Sequence, residues 1–227
     1  MLREKYSPED WCETTGNRDT TKEVKERTEE GHKSGYPIFV FTGPPNSGKK
    51  TLAKMVYNEM NTYEENKYLD SRCYAWSENY HPSDYIKPNF LKELNDTLHQ
   101  SRPATIYLNE GDKIPENIQE ALNFVLLNKP DDKCVIIIGN DPSRFTDSIK
   151  EICKCFSFKP LSSTDMRNRL DQIIFLEDIR IETKRDLLSQ IVSMANGDLS
   201  KAINALITTI KNVKIITDDS SSHLFKD

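Results

Sequence analysis

Nine residues, GPPNSGKKT (Gly43–Thr51), directly follow the apolar stretch IFVFT. Gly43 and Gly48 bracket a turn, and Lys49 comes immediately after the second glycine. Backbone N–H groups in such a turn, together with the positive end of a following helix, can cradle phosphate oxygens. Asn46 stands between Pro44-Pro45 and Ser47, where a third glycine is common. Among residues with a side chain, asparagine best tolerates positive φ. Lys49 is placed to reach the β and γ phosphates of a nucleoside triphosphate. The next position normally carries the hydroxyl that ligates Mg²⁺, and here it is Lys50. Thr51 brings a hydroxyl one residue late. Adjacent helical residues point about 100° apart, so Thr51 should turn towards the interior while Lys50 faces the metal position. The acidic partner of such a loop is a strand ending in Asp-Glu, with Asp serving the metal and Glu orienting the attacking water. ATIYLNEGD supplies the strand, with Asn109 where the aspartate belongs and Glu110 retained. An amide is a far poorer Mg²⁺ ligand than a carboxylate.

The elements around these residues have the order the loop needs. Pro37 and Gly43 bound a short apolar run, the pattern of a buried parallel strand. After Gly48, Leu52, Met55, Val56 and Met60 share one helical face. Ala104–Asp112 and Lys133–Asp141 read as two further buried strands. The helix between them opens with Pro115 at its first turn. Thr20–Gly35 reads as a charged surface helix and Phe90–Gln100 as another helix. The tyrosine-rich stretch from 61 to 90 (Tyr63, Tyr68, Tyr74, Tyr80, Tyr85, with Trp76) could stack on bases. Its acidic excess favours a partly buried irregular connection instead. After FSFKPL only helical periodicity remains, as in Leu187, Ile191 and Val192 or Leu199, Ile203, Leu206 and Ile210. Ser163 or Thr164 and Asp198 are the candidate caps. The reading is an α/β domain over residues 1–160, a small helical lid over 161–215 and a flexible tail over 216–227, with the phosphate loop at the seam.

Composition narrows the function classes. The 227 residues are 36% hydrophobic and 30% charged, which is outside the disordered range, and allow one large or two small domains. A net charge of -5 argues against coating nucleic acid by bulk electrostatics. No apolar run is long enough to span a membrane, and the charged N-terminus does not read as a signal peptide. The expected location is the cytoplasm, or the nucleus if the organism has one. Cys153 and Cys155 form a C-x-C pair without the partners a zinc site needs, so all five cysteines read as structural.

Taken together and in order, these motifs resemble those of the AAA+ superfamily, and within it the replication factor C group of clamp-loader subunits. LREKYSPEDW…TTGN is similar to that group's opening, with Ser7 replacing its arginine. TGPPNSGKKTLAKMV matches its Walker A and helix, and IYLNEGDKI its Walker B. IIIGNDP matches the sensor 1 strand with Asn140 on the sensor, and GDLSKAINAL matches the sensor 2 helix. The resemblance implies a parallel five-stranded sheet flanked by helices, followed by the helical lid. As partners it implies clamp-loader small subunits, a sliding clamp and primer–template DNA. A clamp would dock at the end of the helix after Walker B, where Phe124 and Leu127 are the candidate contacts. The group's third, collar domain has no counterpart after the sensor 2 helix, so the isolated chain is expected to be a monomer or weak dimer.

The departures from the family pattern share a direction. Lys50 and Asn109 replace the two metal groups. Ile152 falls where small subunits carry an arginine finger, and Ser200, with Lys201 beside it, falls where the sensor 2 arginine belongs. The Asn140-Asp141 pair and the missing finger are features of a large subunit. The expectation is a large-subunit-like, structural or regulatory module that binds ATP or ADP weakly, without Mg²⁺ and without hydrolysis, Glu110 being vestigial. Two other readings remain open: an active clamp-loader ATPase that tolerates the substitutions, and another AAA+ adaptor of the origin-recognition or checkpoint-loader kind.

Overall fold

The computed structural model describes residues 5, 6, 8, 10–68, 76–177 and 184–221. The chain divides into two compact units, Glu9–Lys159 and a second made of Met1–Pro8 with Pro160–Asp227.

In the first unit, helix α1 (Arg18–Ser34) precedes strand β1 (Ile38–Thr42) and helix α2 (Lys49–Tyr68). Then come β2 (Trp76–Tyr80), the short α3 (Pro82–Tyr85), α4 (Phe90–Leu98), β3 (Ala104–Asn109) and α5 (Glu116–Leu127). β4 (Lys133–Ile138), α6 (Asp147–Ile152) and β5 (Lys154–Ser157) complete it. The five strands run in the order β2-β3-β4-β1-β5, and all pairs are parallel. β1 therefore pairs with β4 and β5, both far downstream in the chain.

Alternation decides which face each strand residue covers. Ile38, Val40, Ile106, Leu108, Val135 and Ile137 pack on one side, against Phe90, Leu94 and Leu98 of α4 and Leu122 and Leu126 of α5. Phe39, Phe41, Cys134, Ile136 and Ile138 pack on the other, against Val24 of α1 and Leu52, Met55, Val56 and Met60 of α2. The helical face expected of α2 is thus the buried one. Burial on both faces explains why the central strands read as unbroken apolar runs.

The fold departs from the sequence reading at several points. The stretch from 61 to 90 is not an irregular connection: it contains the rest of α2, edge strand β2 and α3. Tyr80 and Tyr85 lie in the core, their rings packed edge-on against Phe90, which removes them from any base-stacking role. The Tyr68, Tyr74 and Trp76 side chains lie outside the described residues. β2 was hidden because it is an edge strand with Ser77, Glu78 and Asn79 exposed. β5 was hidden for the same reason, burying only Phe156. Pro115 is the N-cap of α5 rather than part of its first turn. Cys153 is buried and Cys155 exposed, so the two thiols of the C-x-C pair do not share one environment. Cys73 lies outside the described residues.

The second unit holds α7 (Ser163–Leu176), α8 (Lys184–Ala195) and α9 (Leu199–Ser221). Their apolar stripes meet in one cluster that includes Leu170, Ile173, Leu188, Ile191, Ala202 and Leu206. Ser162, not Ser163 or Thr164, caps α7: its Oγ accepts from Asp165 N at 3.1 Å and donates to the Asp165 carboxylate at 2.6 Å. Ser162→Ala should cost about 1 kcal/mol, seen as a lowered urea midpoint; no change in midpoint would show the cap to be idle. Asp198 caps α9, accepting from Lys201 N at 3.0 Å. α9 continues to Ser221, so the stretch from 216 to 221, expected in the tail, extends the helix. With no glycine or proline before Ser221, nothing stops the helix earlier. The rest of the expected tail, 222–227, lies outside the described residues.

Candidate functional site

The loop between β1 and α2 has the backbone that its residue types suggest. Gly43 takes φ 130° and Gly48 φ 98°, and Asn46 adopts φ 59°, the left-handed conformation expected of an asparagine there. At Gly43 no other residue fits, because a Cβ would stand 2.3 Å from the Phe158 carbonyl oxygen. The loop is tied to the sheet by Gly43 N, which donates to Asn140 O at 3.2 Å. Asn17, itself at φ 47°, braces it from outside. Its Nδ2 donates to Ser47 O at 3.2 Å and Lys159 O at 3.1 Å, and its Oδ1 accepts from Lys159 N at 2.9 Å.

The Lys49 side chain is buried and folds back on the loop. Its Nζ donates to Gly43 O at 2.7 Å and Pro44 O at 2.6 Å, and lies 3.4 Å from Asn140 Oδ1. Burial pulls the ammonium below the usual lysine range; the Asp112 charge opposes this, and Lys50 adds to it. Ser47 is buried and its Oγ has no hydrogen-bond partner, whereas Gly48 faces open space. An orphaned hydroxyl, an ammonium on a long side chain and a glycine with room beside it fit a phosphate chain. The residues that would hold one are Gly43 to Lys49, with Asn140 at the side.

The acidic side of the site differs from its sequence reading. Asn109 is buried, and its Nδ2 donates to Asn79 Oδ1 and Tyr80 O, both at 3.3 Å, on neighbouring β2. Tyr85 donates its hydroxyl to Asn109 O at 2.5 Å. The amide is therefore committed to the sheet edge. Glu110 follows at φ 52° and forms an ion pair with exposed Lys113, which holds its carboxyl below the usual range, with Lys50 contributing. Lys50 is exposed, and its charge reaches both Lys49 and Glu110. Thr51 is half-buried. With an ammonium at one ligand position and a committed amide at the other, these residues do not fit Mg²⁺.

The structure thus brings together Gly43 to Lys50, Asn140 and, through its charge, Glu110. It commits the Asn109 amide to β2. Lys201 belongs to the helical unit, where its ammonium is 3.7 Å from Asp198. Two residues were missed as parts of the site. Asn17 was legible only as part of the opening motif. Asp112 was passed over as the residue ending the IYLNEGD run, and its Oδ1 is buried without a partner. Phe124 and Leu127, the candidate docking residues, are 70% and 59% exposed on α5. Among the described residues, no helix is long and apolar enough to cross a membrane.

No family model matches the chain. Among solved structures it is similar to the Thermotoga maritima RuvB Holliday junction branch migration motor, with a TM-score of 0.68 at 13% identity, over 88% of this chain and 63% of that one. A point variant of the same RuvB gives 0.71 at 13% identity over 95% and 68%. At these identities the likeness speaks for the fold, an AAA+ P-loop domain. Curated relatives are closer in sequence. Replication factor C small subunit 1 of Pyrobaculum islandicum is 30% identical over 223 residues, 94% of this chain and 63% of that protein. The replication factor C small subunit of Methanococcus vannielii is 31% identical over 212 residues, 90% and 63%. The chain therefore spans just under two thirds of the length of these relatives. On a parallel sheet of the AAA+ kind, the chain is thus similar along nearly its whole length to replication factor C small subunits.

Proposed function

We propose that this chain is a clamp-loader-type AAA+ module of DNA replication or repair that holds a nucleotide without hydrolysing it. In this reading it serves a complex structurally or as a regulator. The observation that carries it is the Asn109 side chain, whose amide is hydrogen-bonded to Asn79 and Tyr80 on β2. ATP or ADP binds weakly through the loop amides and Lys49. Hydrolysis is a separate demand, because Mg²⁺ bridges phosphate oxygens and stabilises charge that develops only in the transition state. Lys50 repels that ion, and Glu110, paired with Lys113, is left with no metal-bound substrate to act on. Ser200, with Lys201 beside it, stands where the family pattern has the sensor 2 arginine. Ile152 offers no finger to a neighbour, which fits a large-subunit-like position in an assembly. The partners are ATP-competent small subunits, a sliding clamp that docks on exposed Phe124 and Leu127, and primer–template DNA.

Calorimetry with and without EDTA, combined with a phosphate-release assay, tests this reading. ATP affinity should be low and the same within about twofold in the two conditions, since no metal bridge contributes. Phosphate release should stay at background. Binding strengthened by Mg²⁺, with turnover that Lys49→Ala abolishes, would make the chain a working ATPase. Copurification with small clamp-loader subunits is the expected partner result; failure to capture them would favour another AAA+ adaptor.

A further inference from the structure

We propose that Asp112 sets the nucleotide affinity of the loop: its carboxylate favours the Lys49 ammonium where it lies against the loop carbonyls, and opposes an incoming phosphate. The inference rests on the reading that the loop binds nucleotide, and names the residue that keeps this binding weak.

Geometry singles out Asp112. It sits in the turn Gly111–Lys113 just beyond β3, and its Oδ1 is buried without any hydrogen-bond partner. That oxygen would be 3.0 Å from a Cβ built on Gly139, so it packs against the residue preceding Asn140. Asn140 in turn is the side-chain contact of Lys49. A buried carboxylate oxygen left unsatisfied is costly, and cores rarely keep one. The nearest remedy is a positive charge, and the Asp112 charge acts on Lys49 and on exposed Lys113 in its own turn. The other acidic-side residues cannot serve. Glu110 is engaged by Lys113, and Asn109 is neutral and committed to β2.

A consequence follows for ligands. Lys49 spends its protons on Gly43 O, Pro44 O and Asn140 Oδ1, with Asp112 as counter-charge. A phosphate must draw the ammonium off these carbonyls while approaching the negative charge of Asp112. In an active site of this type a divalent cation would offset that repulsion. Here, among the described residues, Lys50 is the cation beside Lys49 whose charge acts at the loop, and it is exposed. Asp112 therefore acts as an attenuator, and removing its charge should strengthen binding.

The test is ATP titration of the folded full chain in EDTA, comparing wild type with Asp112→Asn and, as a second variant, Asp112→Ser. Circular dichroism checks that each is folded. Both variants should bind ATP about tenfold more tightly at neutral pH, the order expected for removing one like charge near the site. The pH profile supplies a reading that a merely structural role would not move. Asp112 raises the Lys49 pKa, while burial and Lys50 lower it. Without Asp112 the ammonium should lose its proton at lower pH, so the alkaline loss of ATP binding should shift downwards in both variants. Unchanged or weaker binding in folded variants would overturn the proposal. So would wild-type binding that Mg²⁺ strengthens and Asp112→Asn makes metal-independent, because Asp112 would then be a metal ligand. If neither wild type nor variants bind ATP, the nucleotide reading fails and this one with it; wild-type binding without a gain in the variants removes this one alone.

Discussion

Gly43→Ala should destabilise the α/β unit by more than about 4 kcal/mol. Two independent costs meet at this residue. Its φ of 130° is a conformation that residues with a Cβ rarely adopt, and the added methyl would stand 2.3 Å from the Phe158 carbonyl oxygen and 3.1 Å from its carbon. The clash is with main chain, which cannot rotate away. The Phe158 amide is itself fixed by a 2.7 Å bond to Thr42 O, so relief would require β1 and β5 to separate. The combined penalty should exceed about 4 kcal/mol, beyond the range of ordinary substitutions. Typical domains have only about 5–15 kcal/mol in total. Gly48→Ala is the control: φ is again positive, at 98°, but a Cβ would meet nothing within 4 Å. Only backbone strain of about 1–3 kcal/mol should remain there. Urea unfolding followed by circular dichroism separates the two; equal midpoints for the two variants would refute the argument.

Asn109→Asp, which brings in the acidic residue of the resembled motif, should destabilise the chain by about 2–3 kcal/mol without creating metal binding. The Nδ2 group is a donor facing two acceptors, Asn79 Oδ1 and Tyr80 O. A carboxylate in its place would set oxygen against oxygen at a buried position. It would also leave both acceptors unmatched at the β2 edge. Combining it with Lys50→Thr removes the ammonium, but the carboxylate still meets the two β2 acceptors. Thermal unfolding and Mg²⁺ titration check the two halves. A double variant of wild-type stability with Mg²⁺-dependent ATP binding would mean that Asn109 turns freely between the two faces.

The contrast between Asn46 and Asn109 explains what was legible in the sequence. Asn46 acts through its backbone, and a residue's φ preference is a local property that can be read without knowing any neighbour. Asn109 acts through whichever neighbour its amide meets, and that neighbour is a strand whose polar sequence WSENY gives no apolar signal. The central strands β1, β3 and β4 announced themselves because both faces are buried. Edge strands β2 and β5 did not, because burial there falls on few residues. Asp112 looked like one more surface acid after a strand; only packing against Gly139 and the ammonium charge nearby give it a role. Ser162 lost the cap to Ser163 and Thr164 on paper because the three adjacent hydroxyls differ only in backbone angle, and Ser162 alone is extended, at φ -68° and ψ 153°.

The order of the strands also has a consequence in time. β1 is made early in the chain, yet both of its partners, β4 and β5, come much later, and no neighbour in sequence pairs with it. Closing such distant pairs costs chain entropy before any contact rewards it, which slows folding. A ribosome reading this message releases IFVFT, a sticky five-residue strand, well before either partner has been synthesised. Until then the loop after β1 also lacks its anchor on Asn140, so the phosphate cradle is among the last features to mature. Any nucleotide that binds there can reward only a finished sheet, and a nascent chain has no such help while this apolar strand waits unpaired.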